Sequence, residues 1–204
     1  MANANTPFGL RPIADNGTPW SGQGRLVCFP ASQATNIFLG DPVVALGGSD
    51  ANGVPYVGIA TAGATNVVLG SLLSISNGPA NGGGSAAFTI TRDLPIYRQA
   101  SILNYGIICD DPNQLYVVQE DSNGGAIAQA TGGFANGNLV SGAGSTFTGY
   151  SGWQLQSSSV AAAANATYQL RLLGTVRGPD NAIGVNCKWV ARLNLPQLWG
   201  TSGV

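Results

Sequence analysis

The sequence predicts an all-β protein, and three observations lead there. Apolar runs of about four to eight residues, rich in β-branched side chains, recur along the chain and end at Gly, Asn, Asp or Pro. No segment shows the 3.6-residue apolar period of an amphipathic helix. Turn formers are abundant, with 30 glycines and 11 prolines in 204 residues and no collagen-like repeat. Because every sheet must bury one face, about ten short strands without helices imply a β-sandwich or jelly-roll.

Residues 1–20 hold three prolines and two glycines among scattered apolar side chains, which predicts an extended N-terminal arm. Phe8, Leu10, Ile13 and Trp20 need cover, so the arm either reaches a neighbouring subunit or straps its own domain. Strands are then expected at 25–29 (RLVCF), 36–39 (NIFL), 42–46 (PVVAL), 56–60 (YVGIA) and 67–75 (VVLGSLLSI). SDANG at 49–53 reads as a hairpin turn, since Asn-Gly accepts positive φ readily. Residues 77–85 (NGPANGGGS) form a glycine-rich loop, but no lysine follows and no helix opens after it, so the loop lacks a nucleotide-binding pattern.

Further strands are expected at 86–90 (AAFTI), 94–98 (LPIYR), 105–109 (YGIIC) and 115–119 (LYVVQ). From 121 to 166 the chain is mostly Gly, Ala, Ser, Asn and Thr, an irregular excursion with weak strand signals at 139–140 and 146–150. Residues 161–167 (AAAANAT) are its one candidate helical turn. Alternation returns at 168–177 and 186–195, joined by the turn GPDNAIG at 178–184. In the second of these, Trp189, Ala191 and Leu193 share one face, and Lys188, Val190 and Arg192 share the other. The expected organisation is an arm at 1–20 and a single β-sandwich domain at 21–204.

Composition narrows the function. Charged residues make up only 8% of the chain, eight Lys/Arg against nine Asp/Glu, where an ordinary soluble domain has about a quarter. Something other than charge must cover such a surface, which points to a building block packed against other subunits. A net charge of −1 without a basic cluster argues against a nucleic-acid partner. No run approaches the roughly 18 apolar residues of a membrane span, and the first ten residues lack a secretory pattern, so a cytoplasmic origin is expected and no membrane partner.

Catalytic and metal-binding patterns are weak. There is no histidine, and Cys28, Cys109 and Cys187 lie in separate apolar runs, so buried free thiols are expected. Two acidic pairs, Asp110-Asp111 and Glu120-Asp121, flank one strand; its length would hold them about 25 Å apart, beyond the reach of paired carboxylate chemistry. Lys188, the only lysine, sits mid-strand without an SxxK arrangement. The sequence therefore predicts no enzyme, no cofactor and no metal. Trp20, Trp153, Trp189 and Trp199 suit core or interface anchoring better than sugar stacking.

Several strings together resemble a family of tailed-bacteriophage head proteins, the cement or decoration proteins. They are TPFGLRP (6–12), GDPVV (40–44), YGIICDDP (105–112), VVQED (117–121), GAGSTFTGYSGWQL (142–155) and LRLLGTVRGPDNAIGVNCKWVARLN (170–194). The resemblance implies a sandwich or jelly-roll protein on the outer surface of the capsid, partnered by the major capsid protein and by itself as a dimer or trimer. The virion would then be its location after assembly in the host cytoplasm. Phe8, Leu10 and Arg11 of the arm and Leu195, Leu198 and Trp199 of NLPQLWG are the expected inter-subunit contacts. The alternative is a virion carbohydrate- or receptor-binding module that uses its tryptophans and the 121–166 excursion.

Overall fold

The computed structural model describes residues 3–13, 20, 22–76, 96–160 and 165–199. The first strand, β1 (Arg11–Ile13), belongs to a sheet completed much later in the chain. The next five close a barrel: β2 (Arg25–Phe29), β3 (Pro42–Ser49), β4 (Pro55–Ile59), β5 (Gly70–Ile75) and β6 (Asn104–Cys109). Pairing runs antiparallel from β2 through β6, β5 and β3 to β4, and a parallel contact at Cys28 and Tyr56 closes the ring. Alternation sends Val27, Phe29, Val43, Val57 and Ile108 inward, where they fill the narrow lumen. Bulges between Ala45 and Ser49 and between Leu72 and Ser74 supply extra twist for so tight a ring. Gly70 lets β5 approach β6, since a Cβ there would lie 1.9 Å from the Cys109 carbonyl oxygen.

The remaining strands are β7 (Leu115–Gln119), β8 (Asn136–Gly137), β9 (Leu139–Val140), β10 (Gln154–Leu155), β11 (Leu170–Thr175) and β12 (Lys188–Leu193). They form an antiparallel sheet in the order β1-β7-β12-β11-β8, and β9 pairs separately with β10. The inner face of the sheet carries Tyr116, Val118, Leu170, Leu172, Trp189 and Leu193. These pack with Leu10, Trp153 and Leu155 and with side chains that point out of the barrel, among them Val44 and Leu73. Each fully buried aliphatic side chain there contributes about 1.5–3 kcal/mol, so barrel and sheet are held together by a shared core. The all-β class is thus established, while the narrower sandwich or jelly-roll assignment is not fixed by this strand order.

RLVCF and LYVVQ keep their expected bounds, most other expected strands appear with shifted ends, and the alternation of Trp189, Ala191 and Leu193 against Lys188, Val190 and Arg192 appears as strict burial of the first set. NIFL is instead an extended stretch in which only Ile37 and Leu39 make isolated bridges, to Arg98 and Tyr150. TFTGY is a tight turn. The excursion does carry short strands of its own, with an α-helical turn at Gln129–Gly132, α1, and a 3-10 turn at Ser157–Ser159 among its described residues. The expected strand at 86–90, the loop at 77–85 and positions 94–95 and 161–164 lie outside the described residues.

Residues 3–13 strap their own chain. The Leu10 N–H donates to the Gly40 carbonyl at 2.8 Å, and β1 pairs with β7. Gly9 and Gly40, with φ of +70° and +90°, cross so closely that a Cβ on either would come within 2.1 Å of the other segment's backbone. At the start of the strap, Asn3 donates to the carbonyls of Ala182 and Val185, and Gln119 holds Ala4 and Thr6.

Candidate functional site

The expected contact residues divide into two groups. Phe8 and Leu10 are buried, Leu10 completely, because the strap needs apolar side chains to fill the seam beneath it; this corrects their assignment to an inter-subunit surface. Arg11 is exposed, with its guanidinium 4.7 Å from the Phe8 ring centroid. Leu195 is half-buried, and its carbonyl accepts the Val68 N–H. Leu198 and Trp199 are 50% and 52% exposed.

Their exposure is enforced by the turn Gln197–Trp199. The Gln197 amide accepts the Ala45 N–H at 2.8 Å and donates to the Ala45 carbonyl, while the Gln197 N–H donates to Val68. The segment is therefore fastened to the barrel, next to exposed Leu46 and Val67, with Leu198 and Trp199 turned outward. The Arg192 guanidinium lies 6.0 Å from the Trp199 ring centroid, near the outer limit of a cation–π contact.

Sequence reasoning missed two further aromatics. Phe147, 91% exposed, tops a turn closed by hydrogen bonds from Gly149 N–H to Ser145 O and from Ser145 N–H to Tyr150 O. Phe134, 76% exposed, has φ of +58°. Positive φ is a costly conformation for a bulky residue and persists only where the surroundings impose it. An aromatic set among small polar residues, as in TGGFANG and STFTGY, was the available signal. Phe134 also overhangs a groove of about 580 Å³ on the outer face of the sheet, lined by Leu115, Leu173, Val190, Arg177 and Ile183.

The acidic residues are engaged in holding the fold. Asp110 pairs with Arg25, and Asp111 accepts the Asn113 N–H. Asp121 accepts both the N–H and the hydroxyl of Ser157 at 2.9 Å. Buried Glu120 accepts Trp189 Nε1–H at 2.9 Å, the Ile127 N–H and the Ser122 hydroxyl; burial pushes its pKa up, and these donors oppose the shift. Among the described residues no group of three or more Cys, Asp or Glu could hold a metal ion. The three cysteines are buried free thiols, and desolvation raises Cys28 to about 11, far from a reactive thiolate. Trp153 and Trp189 are core residues and cannot stack on a sugar. No helix among the described residues is long and apolar enough to cross a membrane.

In comparisons with protein-family models, curated proteins and solved structures, nothing matches this chain.

Proposed function

We propose that this chain is a structural virion protein that binds the outer surface of a tailed-phage capsid and bridges capsomers, in contact with the major capsid protein and with copies of itself. The observation that carries the reading is the set of anchored, outward-facing apolar side chains, Phe134, Phe147, Leu198 and Trp199, on a chain with 8% charge. Large exposed aromatics on well-held turns make interface anchors, because little conformational entropy is lost on docking. The resemblance of the quoted strings to cement proteins supplies the setting. A sandwich-like stacking of the sheet on the barrel suits a plug that fills the boundary between capsomers. Repeated weak contacts suffice there, because each bound copy raises the effective concentration for its remaining contacts. The role is non-enzymatic, since the acidic side chains support turns and core.

The test is occupancy of purified heads that lack the protein. Wild-type chain should bind stoichiometrically and raise the temperature at which heads release DNA, and Trp199→Ser with Phe147→Ser should lower occupancy at least tenfold while the far-UV spectrum is unchanged. Wild-type protein that never binds heads would overturn the reading. Specific binding of a glycan array through Trp199 would favour the receptor-binding alternative.

A further inference from the structure

The sheet has two unlike faces. Leu115 and Val117 are nearly buried yet absent from the shared core, because alternation turns them to the side away from the barrel. They floor the outer face with Val190 and Leu173, between the overhanging Phe134 and Ile183 of the β11–β12 turn. Around this apolar floor stand Arg11, Arg171, Arg177, Lys188 and Arg192. The other described cations lie elsewhere: Arg25 is paired with Asp110, and Arg98 is buried among carbonyls. Among the described residues, the one acid that meets this set is Asp180, 3.6 Å from Lys188.

Arg171 and Arg192 are direct cross-strand partners. Like charges placed so are destabilising, and neither has a carboxylate partner among the described residues. Arg171 leans to the Asn136 side-chain oxygen at 3.2 Å, and Arg192 leans toward Trp199, its Nε buried without a hydrogen bond. A chain with net charge −1 has thus gathered most of the unpaired positive charge of its described residues around one apolar groove.

We propose that this outer face is the docking site of an extended, carboxylate-bearing polypeptide segment from a partner protein. Its apolar side chains would cover Leu115, Val190 and Leu173, and its Asp or Glu side chains would fork onto Arg171, Arg192 and Arg177. Arginine suits the task, because its planar guanidinium binds carboxylates in pairs of hydrogen bonds and tolerates partial desolvation. β8 pairs only with the Leu170–Arg171 end of β11, and the groove beside the rest of that strand suits an extended segment better than a compact ligand. The proposal rests on the virion reading only for the source of the segment, the capsid protein.

The test uses the full-length protein and end-blocked octapeptides of alternating Glu and Val or alternating Lys and Val, followed by fluorescence anisotropy and amide chemical shifts. The Glu-Val peptide should bind, weaken at least threefold between 50 and 300 mM NaCl, and shift the amides of Leu173, Val190 and Arg192. The Lys-Val peptide should bind at least tenfold more weakly. Arg171→Gln with Arg192→Gln should cost the Glu-Val peptide at least tenfold. The salt response of the wild-type protein decides the matter if that variant folds poorly. Equal binding of both peptides, shifts confined to the Trp199 segment, or tighter binding of a dT12 oligonucleotide than of the Glu-Val peptide would overturn the proposal. Because no heads are involved, these failures leave the capsid-binding reading standing. Failure of wild-type protein to bind heads, with peptide binding intact, would remove that reading alone.

Discussion

The barrel and the outer sheet each have five strands, yet they end in opposite conditions. The barrel closes on itself, so every strand has two neighbours and its inward side chains pack mainly on one another, with Ile37 and Leu69 added from the flanking segments. The sheet stays open, borrows the barrel for its inner face and leaves the outer one to cations and a groove. Even the outward-facing cross-strand pairs differ. On the barrel, Leu26 faces Ile107 across β2 and β6, whereas the equivalent position on the sheet sets Arg171 against Arg192. A closed element is finished by its own sequence, and an open one leaves a face whose unbalanced charge is the ground for the docking proposed above.

Among the described residues the two halves also bury one carboxylate each and treat it differently. Glu120, in the sheet, has donors on both oxygens. Asp41, beside the barrel, accepts the Phe38 N–H on Oδ2 and makes no hydrogen bond through Oδ1, although the nearby Ser151 hydroxyl lowers its pKa somewhat. Burial outweighs both and pushes Asp41 up to about 6.

The sharpest way to break the comparison is at the barrel's buried cation. Arg98 donates to the carbonyls of Pro30, Gln33 and Thr35 at 2.7–2.8 Å, and burial lowers its pKa. Arg98→Met should cost about 3–5 kcal/mol by orphaning those carbonyls. Urea melts followed by tryptophan fluorescence, which reports Trp153 and Trp189 in the shared core, should shift together with melts followed by far-UV dichroism. Separate transitions would show that barrel and sheet fold independently.

Next in size is the strap. Gly9→Ala should destabilise by about 3 kcal/mol, from a side chain at positive φ and its collision with Gly40. Hydrogen exchange at Leu10 should accelerate more than exchange at Val43 inside the barrel. Equal acceleration would mean that the strap is part of the barrel's own cooperative unit.

Asp41→Asn sharpens the contrast between the two buried acids. A carboxyl raised from 3.8 to about 6 binds its proton more tightly when folded, so its stabilising share is complete below about pH 4 and is lost as pH rises through about 6. Relative to wild type, the Asn variant should therefore gain up to about 3 kcal/mol between pH 4 and pH 7. A pH-independent difference in denaturant midpoint would refute this. The smallest effect belongs to Trp199→Ser, which should change stability by less than about 0.5 kcal/mol, because the ring contacts solvent and Arg192 rather than the core. A larger loss in thermal melts would make Trp199 a structural residue.

Local chemistry made much of this legible. RLVCF, LYVVQ and KWVARL could be placed as strands because alternation and flanking turn residues are properties of adjacent positions. The β3–β4 hairpin could be placed because Asp50 and Gly53 carry their own turn geometry, Asp50 accepting the N–H groups of Asn52 and Val54. NIFL looked like a strand by composition, but its neighbours across the fold allow only two bridges. At the candidate surface, Leu198 and Trp199 were readable as an apolar tail segment, whereas Leu10 was not separable from them, since an apolar residue in an arm reads the same whether it meets its own chain or another.

The sequence by itself determined the all-β class, the alternating faces of the long strands and the burial of the cysteines, because each follows from side-chain chemistry at neighbouring positions. Only the tertiary structure decided that β2 meets β4 to close a ring, that Gly9 crosses Gly40, and that Arg171 stands opposite Arg192. Those facts join segments about 20 to 30 residues apart, where loop closure and the competition of many pairings, rather than local preference, select the partner.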